Sequence, residues 1–79
     1  MELLVISPEG ELLRNDSVTS VELPGSKGRF VVLKDHAPLI TSLTGGFIRW
    51  SREGQEDGAL EIKSGFAKVY RNTITVCVG

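Results

Sequence analysis

The sequence predicts an all-β sandwich or barrel, and three observations carry that prediction. Apolar residues alternate with polar ones at a period of two; apolar runs end within about four to eight residues at Gly, Pro, Asn or Asp; and no stretch sustains a 3.6-residue period over three turns. A strand sends successive side chains to opposite faces, so such alternation marks segments buried on one side. Helices of comparable stability need longer periodic stretches than this chain offers.

Leu3–Ile6 forms the first strand, and Ser7-Pro8-Glu9-Gly10 turns it, with proline setting φ early in the turn. Leu12 and Leu13 mark a second strand, and Asn15-Asp16 turns the chain into a third, Val18–Leu23, which Pro24-Gly25 closes. The loop Ser26-Lys27-Gly28-Arg29 precedes Phe30–Leu33, and Lys34–Pro38 leads into the short run Leu39–Leu43. Thr44-Gly45-Gly46 then opens Phe47–Arg52, and hydrophilic Glu53–Gly58 makes a hairpin loop before Leu60 and Ile62. Ser64-Gly65 breaks the phase, predicting a bend or bulge at Gly65 ahead of Phe66–Tyr70. The clearest alternation is Thr73–Val78, with Ile74, Val76 and Val78 on one face and Cys77 on the other. This phasing predicts a core containing Val5, Val21, Leu23, Leu33, Leu43, Ile48, Leu60, Ile62, Ile74 and Val76, and puts most of the aromatic residues on core positions.

Seventy-nine residues make a single domain, 1–79, with 41% hydrophobic residues. Nine Lys plus Arg oppose ten Asp plus Glu, so the net charge of −1 provides no global field toward nucleic acid or anionic lipid. Runs such as Leu3–Ile6 fall far short of the ~20 residues that span a bilayer. Met1-Glu2 begins no basic stretch ahead of a long apolar one, which predicts a chain without a secretory signal, in the cytosol. One cysteine and one histidine build neither an internal disulfide nor a four-ligand zinc centre, and neither metal nor cofactor is expected.

His36 lies next to Asp35, but neighbours in an extended loop point apart, so the pair reads as a loop-ordering or contact element and no catalytic residue is nominated. Cys77 lacks a Cys-x-x-Cys partner and reads as a passive small residue. Neither phosphate-binding glycine motif occurs. Arg49, Trp50 and Arg52 form the best fragment of a nucleic-acid groove, which would make the chain a small β-barrel module for single-stranded nucleic acid or another ligand. Glu53, Glu56 and Asp57 follow at once and cancel its charge.

One loop-rich stretch is more specific. Leu23-Pro24-Gly25-Ser26-Lys27-Gly28-Arg29-Phe30, then Leu33-Lys34-Asp35-His36-Ala37-Pro38-Leu39-Ile40-Thr41-Ser42-Leu43 and Gly46-Phe47-Ile48-Arg49, resembles the epsilon subunit of F-type ATP synthases. Val5-Ile6-Ser7-Pro8-Glu9-Gly10 is similar to that family's opening, and Ser64-Gly65-Phe66-Ala67-Lys68-Val69 through Asn72–Val76 to the end of its sandwich. The resemblance implies a flattened sandwich of about ten short antiparallel strands and a non-catalytic central-stalk subunit. Such a subunit joins gamma to the c-ring and, through gamma, serves the catalytic alpha/beta head, with no nucleic-acid partner. It also implies a peripheral protein on the cytoplasmic face of the bacterial inner membrane.

By the same resemblance, Ser26, Lys27, Gly28 and Arg29 face the c-ring with His36, Ala37 and Pro38 beside them, and Ser7 and Thr41 look toward gamma. Val31 stands where the family has Gly, and Lys27 and Arg29 make basic a turn that is often acidic in relatives. The chain ends at Gly79, where the family continues into a two-helix hairpin, so that domain is expected to be absent.

Overall fold

Nine strands and no helix run through residues 1–79 of the computed structural model: β1 (Glu2–Ser7), β2 (Gly10–Asn15), β3 (Val18–Gly25), β4 (Gly28–Leu33), β5 (Leu39–Leu43), β6 (Gly46–Arg52), β7 (Gly58–Ile62), β8 (Gly65–Tyr70) and β9 (Thr73–Val78). The all-β expectation holds, with nine strands where the resemblance implies about ten. The ladder runs β2-β1-β9-β8-β5-β3-β6-β7, with β4 on the other edge of β3. Every neighbouring pair is antiparallel except β1 and β9, which run parallel from Glu2↔Thr73 to Ile6↔Cys77. The all-antiparallel expectation is corrected there. Pairing of the two chain ends is non-local, and alternation within a strand is blind to its neighbour's direction.

The ladder folds over at a narrow joint. β5 and β3 share only Gly25↔Leu43, flanked by Thr44 N–H donating to Pro24 C=O (2.8 Å) and Ser26 N–H donating to Ser42 C=O (3.0 Å). On one side lie β2, β1, β9, β8 and β5, on the other β4, β3, β6 and β7, and the molecule measures 30 × 25 × 19 Å. Inward-facing residues of both halves form one cluster of 14 buried side chains, including Leu3, Val5, Ile74 and Val76 from the first half and Val21, Leu23, Ile48 and Trp50 from the second. At ~1.5 to 3 kcal/mol per buried Val, Leu or Ile, this cluster is the main force closing the halves together.

Most of the predicted core is buried, and Leu60 packs against it half-buried. Leu33 is the exception at 57% exposed, because Val21↔Val32 and Leu23↔Phe30 pair on the inner side and throw Val31 and Leu33 outward. Four successive apolar residues carry no phase of their own, so pairing decides. The aromatic expectation is also corrected: Phe66, Tyr70 and Phe47 are exposed, since Ala67 and Val69 take the inner positions of β8 and Ile48 and Trp50 those of β6.

Gly65 is no bulge. It opens β8 in register with both Leu43 and Val78, and the bend falls at Lys63-Ser64. A Cβ on Gly65 would lie 2.4 Å from the Cys77 carbonyl oxygen, so close backbone approach requires glycine there. The bulges lie at Leu12, opposite the Val5/Ile6 step of β1, and at Thr19 in β3.

Candidate functional site

Between β3 and β4 the chain reverses through Ser26 and Lys27, bracketed by the pair Gly25↔Gly28. The loop expected at Ser26–Arg29 is thus a tight two-residue hairpin, with Gly28 and Arg29 already in β4. Gly28 adopts φ 124°, a left-handed value that favours glycine. Gly25 is needed for space: a Cβ there would lie 2.7 Å from the Gly28 carbonyl oxygen and 2.9 Å from the Phe30 ring. The Ser26 and Ser42 hydroxyls hydrogen-bond at 2.7 Å, tying the turn to β5.

The two cations of this turn differ. Arg29 reaches across β3, its Nη2 lying 3.3 Å from Glu22 Oε1 and donating to the Phe47 carbonyl at 2.7 Å. The Arg29 guanidinium, hydrogen-bonded to the Glu22 carboxylate, holds that carboxyl below its ordinary range, against desolvation, which acts the other way, and with the help of the charges of Arg29 and Arg49. Lys27 forms no ion pair and stays exposed. The free positive charge of the turn is therefore Lys27.

The His36-Ala37-Pro38 segment follows the far end of β4, since Gly28 pairs with Gly25 while Leu33 pairs with Ser20. A groove of about 380 Å³ nevertheless brings His36 together with the turn: Lys27, Gly28 and Arg29 line it with His36 and Thr41. Phe30 and Leu39 supply its apolar surface. His36 N–H donates to the Leu33 carbonyl (3.1 Å), and Nδ1 lies 2.7 Å from the Ala37 carbonyl, which places the proton on Nδ1. Ala37 and Pro38 are exposed.

Thr41 thus joins the turn and His36, while Ser7 does not. Ser7 sits at the end of β1, separated from β5 by β9 and β8, with its hydroxyl 3.1 Å from Glu9 Oε2 and 3.3 Å from the Gly10 carbonyl. The nucleic-acid fragment is taken apart by its strand. Trp50 is 8% exposed and faces the core, with Gly58 so close that a Cβ would overlap the indole, while Arg49 points outward over Phe47, 5.3 Å from the ring centroid. The indole therefore offers bases no surface to stack on, and the one exposed ring beside it, Phe47, is covered by Arg49. Cys77 is exposed, on the face opposite Ile74 and Val76.

Sequence reasoning missed a clasp between the halves. Asn72 Oδ1 accepts from the Asp35 N–H (2.6 Å), and Asn72 Nδ2 donates to Asp35 Oδ1 (3.0 Å). Both residues are left-handed, at φ 61° and 64°, and Arg71-Asn72 forms the two-residue turn between β8 and β9. An Asn at a turn signals that conformation in the sequence, but its partner 37 residues away does not.

The family model for the ATP synthase delta/epsilon chain beta-sandwich domain matches residues 1–79. The ATP synthase epsilon chain of Magnetococcus marinus is 40% identical over 80 residues, covering 99% of this chain and 56% of the relative. That of Campylobacter concisus is 36% identical over 76 residues, covering 96% and 58%. The chain therefore spans little more than half the length of these curated relatives. Among solved structures, a chain of the Euglena gracilis mitochondrial ATP synthase (OSCP/F1/c-ring) superposes with a TM-score of 0.87 at 21% identity, covering 96% of this chain and 48% of that one. A chain of the Tetrahymena thermophila mitochondrial ATP synthase central stalk and c-ring gives 0.79 at 19%, covering 99% and 62%. At these identities the likeness to the two structures is one of fold.

Proposed function

Because the chain belongs to the family of ATP synthase delta/epsilon beta-sandwich domains, we propose that it is the non-catalytic sandwich of the rotary central stalk, joining gamma to the c-ring so that proton-driven rotation reaches the catalytic sites. The carrying observation is that the family domain matches the whole chain, residues 1–79. A core shared by both halves, in a ladder whose only narrow point is itself hydrogen-bonded, suits a part that transmits load.

In this reading the Ser26-Lys27-Gly28-Arg29 turn faces the polar loops of the c-ring, with Lys27 as its free cation and His36, Ala37 and Pro38 along the adjoining groove. Ser7 and Thr41 look toward gamma, and the alpha/beta head is engaged only through gamma. The complex would hold the chain at the cytoplasmic face of a bacterial inner membrane. A tagged chain recovered from detergent-solubilised membranes should retain gamma, alpha, beta and c subunits in stoichiometric amounts through a moderate salt wash. Recovery without them would overturn the assignment. Binding to the folded state alone also stabilises it, so added gamma should raise the thermal midpoint in a concentration-dependent way.

A further inference from the structure

The sheet has an edge that nothing guards. Pro24 pairs with Arg29, yet its carbonyl accepts from Thr44 on the opposite side, so this is a non-hydrogen-bonded pair in the β3–β4 ladder. The N–H and C=O of Arg29 consequently point away from β3, and by alternation so do those of Val31 and Leu33. The Leu33 carbonyl bears this out by accepting from His36 N–H. No strand pairs with this side of β4, which leaves the main-chain groups of Arg29 and Val31 and the N–H of Leu33 free.

Exposed edges template pairing with other chains, and proteins blunt them with bulges, charges, proline or short length. The other edges here are blunted. β2 carries the Leu12 bulge with Glu11 and Arg14, β7 is five residues long and bears Glu61, and β5 is five residues long and follows Pro38. β4 has six residues in unbroken register, no proline and no bulge. Its one charge, Arg29, is drawn across β3 to Glu22 and Phe47, away from the edge. Val31 and Leu33 stand 49% and 57% exposed.

We infer that β4 is a strand-addition site, which in the assembled stalk receives an extended segment of a neighbouring subunit that is apolar beside Val31 and Leu33 and carries a carboxylate near Lys27. Main-chain hydrogen bonds give such binding its affinity, and side chains at alternate positions give it selectivity. The charge follows from the groove along this edge, which contains Lys27 without an ion-pair partner and no carboxylate among its lining residues. The inference rests on the stalk reading for the source of the added strand.

Amide hydrogen exchange on the purified complex and on the isolated chain tests it. In the complex the Arg29 and Val31 amides should exchange at least about 100-fold more slowly than in the isolated chain, where they face water. Val31→Pro removes the free-edge donor while leaving the β3 ladder intact, so the isolated variant should fold and its retention in the complex should fall about tenfold or more. Equal Arg29 and Val31 exchange rates in the two samples overturn strand addition, whatever the variant does. Failure of the wild-type chain to enter any complex overturns the stalk reading and this inference with it, whereas entry with unprotected amides overturns the inference alone.

Discussion

The two ends of the sandwich solve the same problem by different means. Both must tie the half containing β8 and β9 to the half containing β3 and β4. At the end bearing the Arg71-Asn72 turn, a main-chain pair, in which the N-terminal ammonium donates to the Val18 carbonyl at 3.0 Å and Val18 N–H donates to the Met1 carbonyl at 3.1 Å, is supplemented by the Asn72–Asp35 clasp, both of whose bonds run through the Asn72 side chain. At the end bearing the Ser26-Lys27 turn, the ties are mainly main-chain bonds, Thr44 to Pro24 and Ser26 to Ser42, made possible by Gly25, with Gly65 closing the neighbouring strands. Side-chain ties commit the surface they use. Main-chain ties leave Lys27 free, which is the condition a docking turn needs.

The largest effect should come from the packing that both ends share. Leu23 is fully buried on β3, two residues before the joint, and Leu23→Ala should cost about 2 to 5 kcal/mol in chemical denaturation. A loss below about 1 kcal/mol would mean that the joint, rather than the core, holds the halves together. Next comes the main-chain end. Gly65→Ala forces a Cβ against the Cys77 carbonyl and should cost about 1 to 3 kcal/mol, with enhanced amide exchange confined to β8, β9 and the joint.

The side-chain end should lose less. Asn72→Ala removes both clasp bonds and leaves a residue poorly suited to φ 61°, for a cost of about 1 to 2 kcal/mol, whereas Asn72→Gly keeps the backbone at ease and should cost about half as much. Asp35→Ala combined with Asn72→Gly should cost less than the sum of the two, because both remove the bond from Asn72 Nδ2 to Asp35 Oδ1, although only Asn72→Gly also removes the acceptor of the Asp35 N–H. Strict additivity would show that the bond between the two side chains contributes nothing.

How legible these features were depended on their range. Strand identity is local, and alternation located every strand, most clearly Thr73–Val78, and most of the core. Phase within uniformly apolar Phe30–Leu33 is not local; it is set by β3, and so Val32 and Leu33 exchanged places. Gly65 announced an irregularity, but whether a glycine bends a strand or admits a neighbouring carbonyl depends on a strand twelve residues on, at Cys77. The loop Ser26–Arg29 was legible from its own turn residues, and its expected role only through a resemblance to a known pattern. That only one of its two cations is free was not, because Glu22 and Phe47 meet Arg29 only once β3 has paired with both β4 and β6.

That pairing gives the smallest of the expected effects, and one with a defined pH dependence. Glu22 has a lowered pKa in the folded chain, chiefly through the Arg29 hydrogen bond. Its contribution to stability is therefore fully present above its unfolded value, ordinarily 4.5, and is lost as pH falls through the lower folded value. Glu22→Gln should accordingly show a constant small stability difference from the wild type at neutral pH that shrinks below that point, as read by denaturation at a series of pH values. Because both side chains are more than a third exposed, at 42% and 38%, high salt should diminish the difference as well. A difference that stayed flat through the acid range would mean that Glu22 does not hold Arg29. The Phe47 carbonyl alone would then hold the guanidinium across β3, and the charge of Arg29, like that of Lys27, would be without an ion-pair partner.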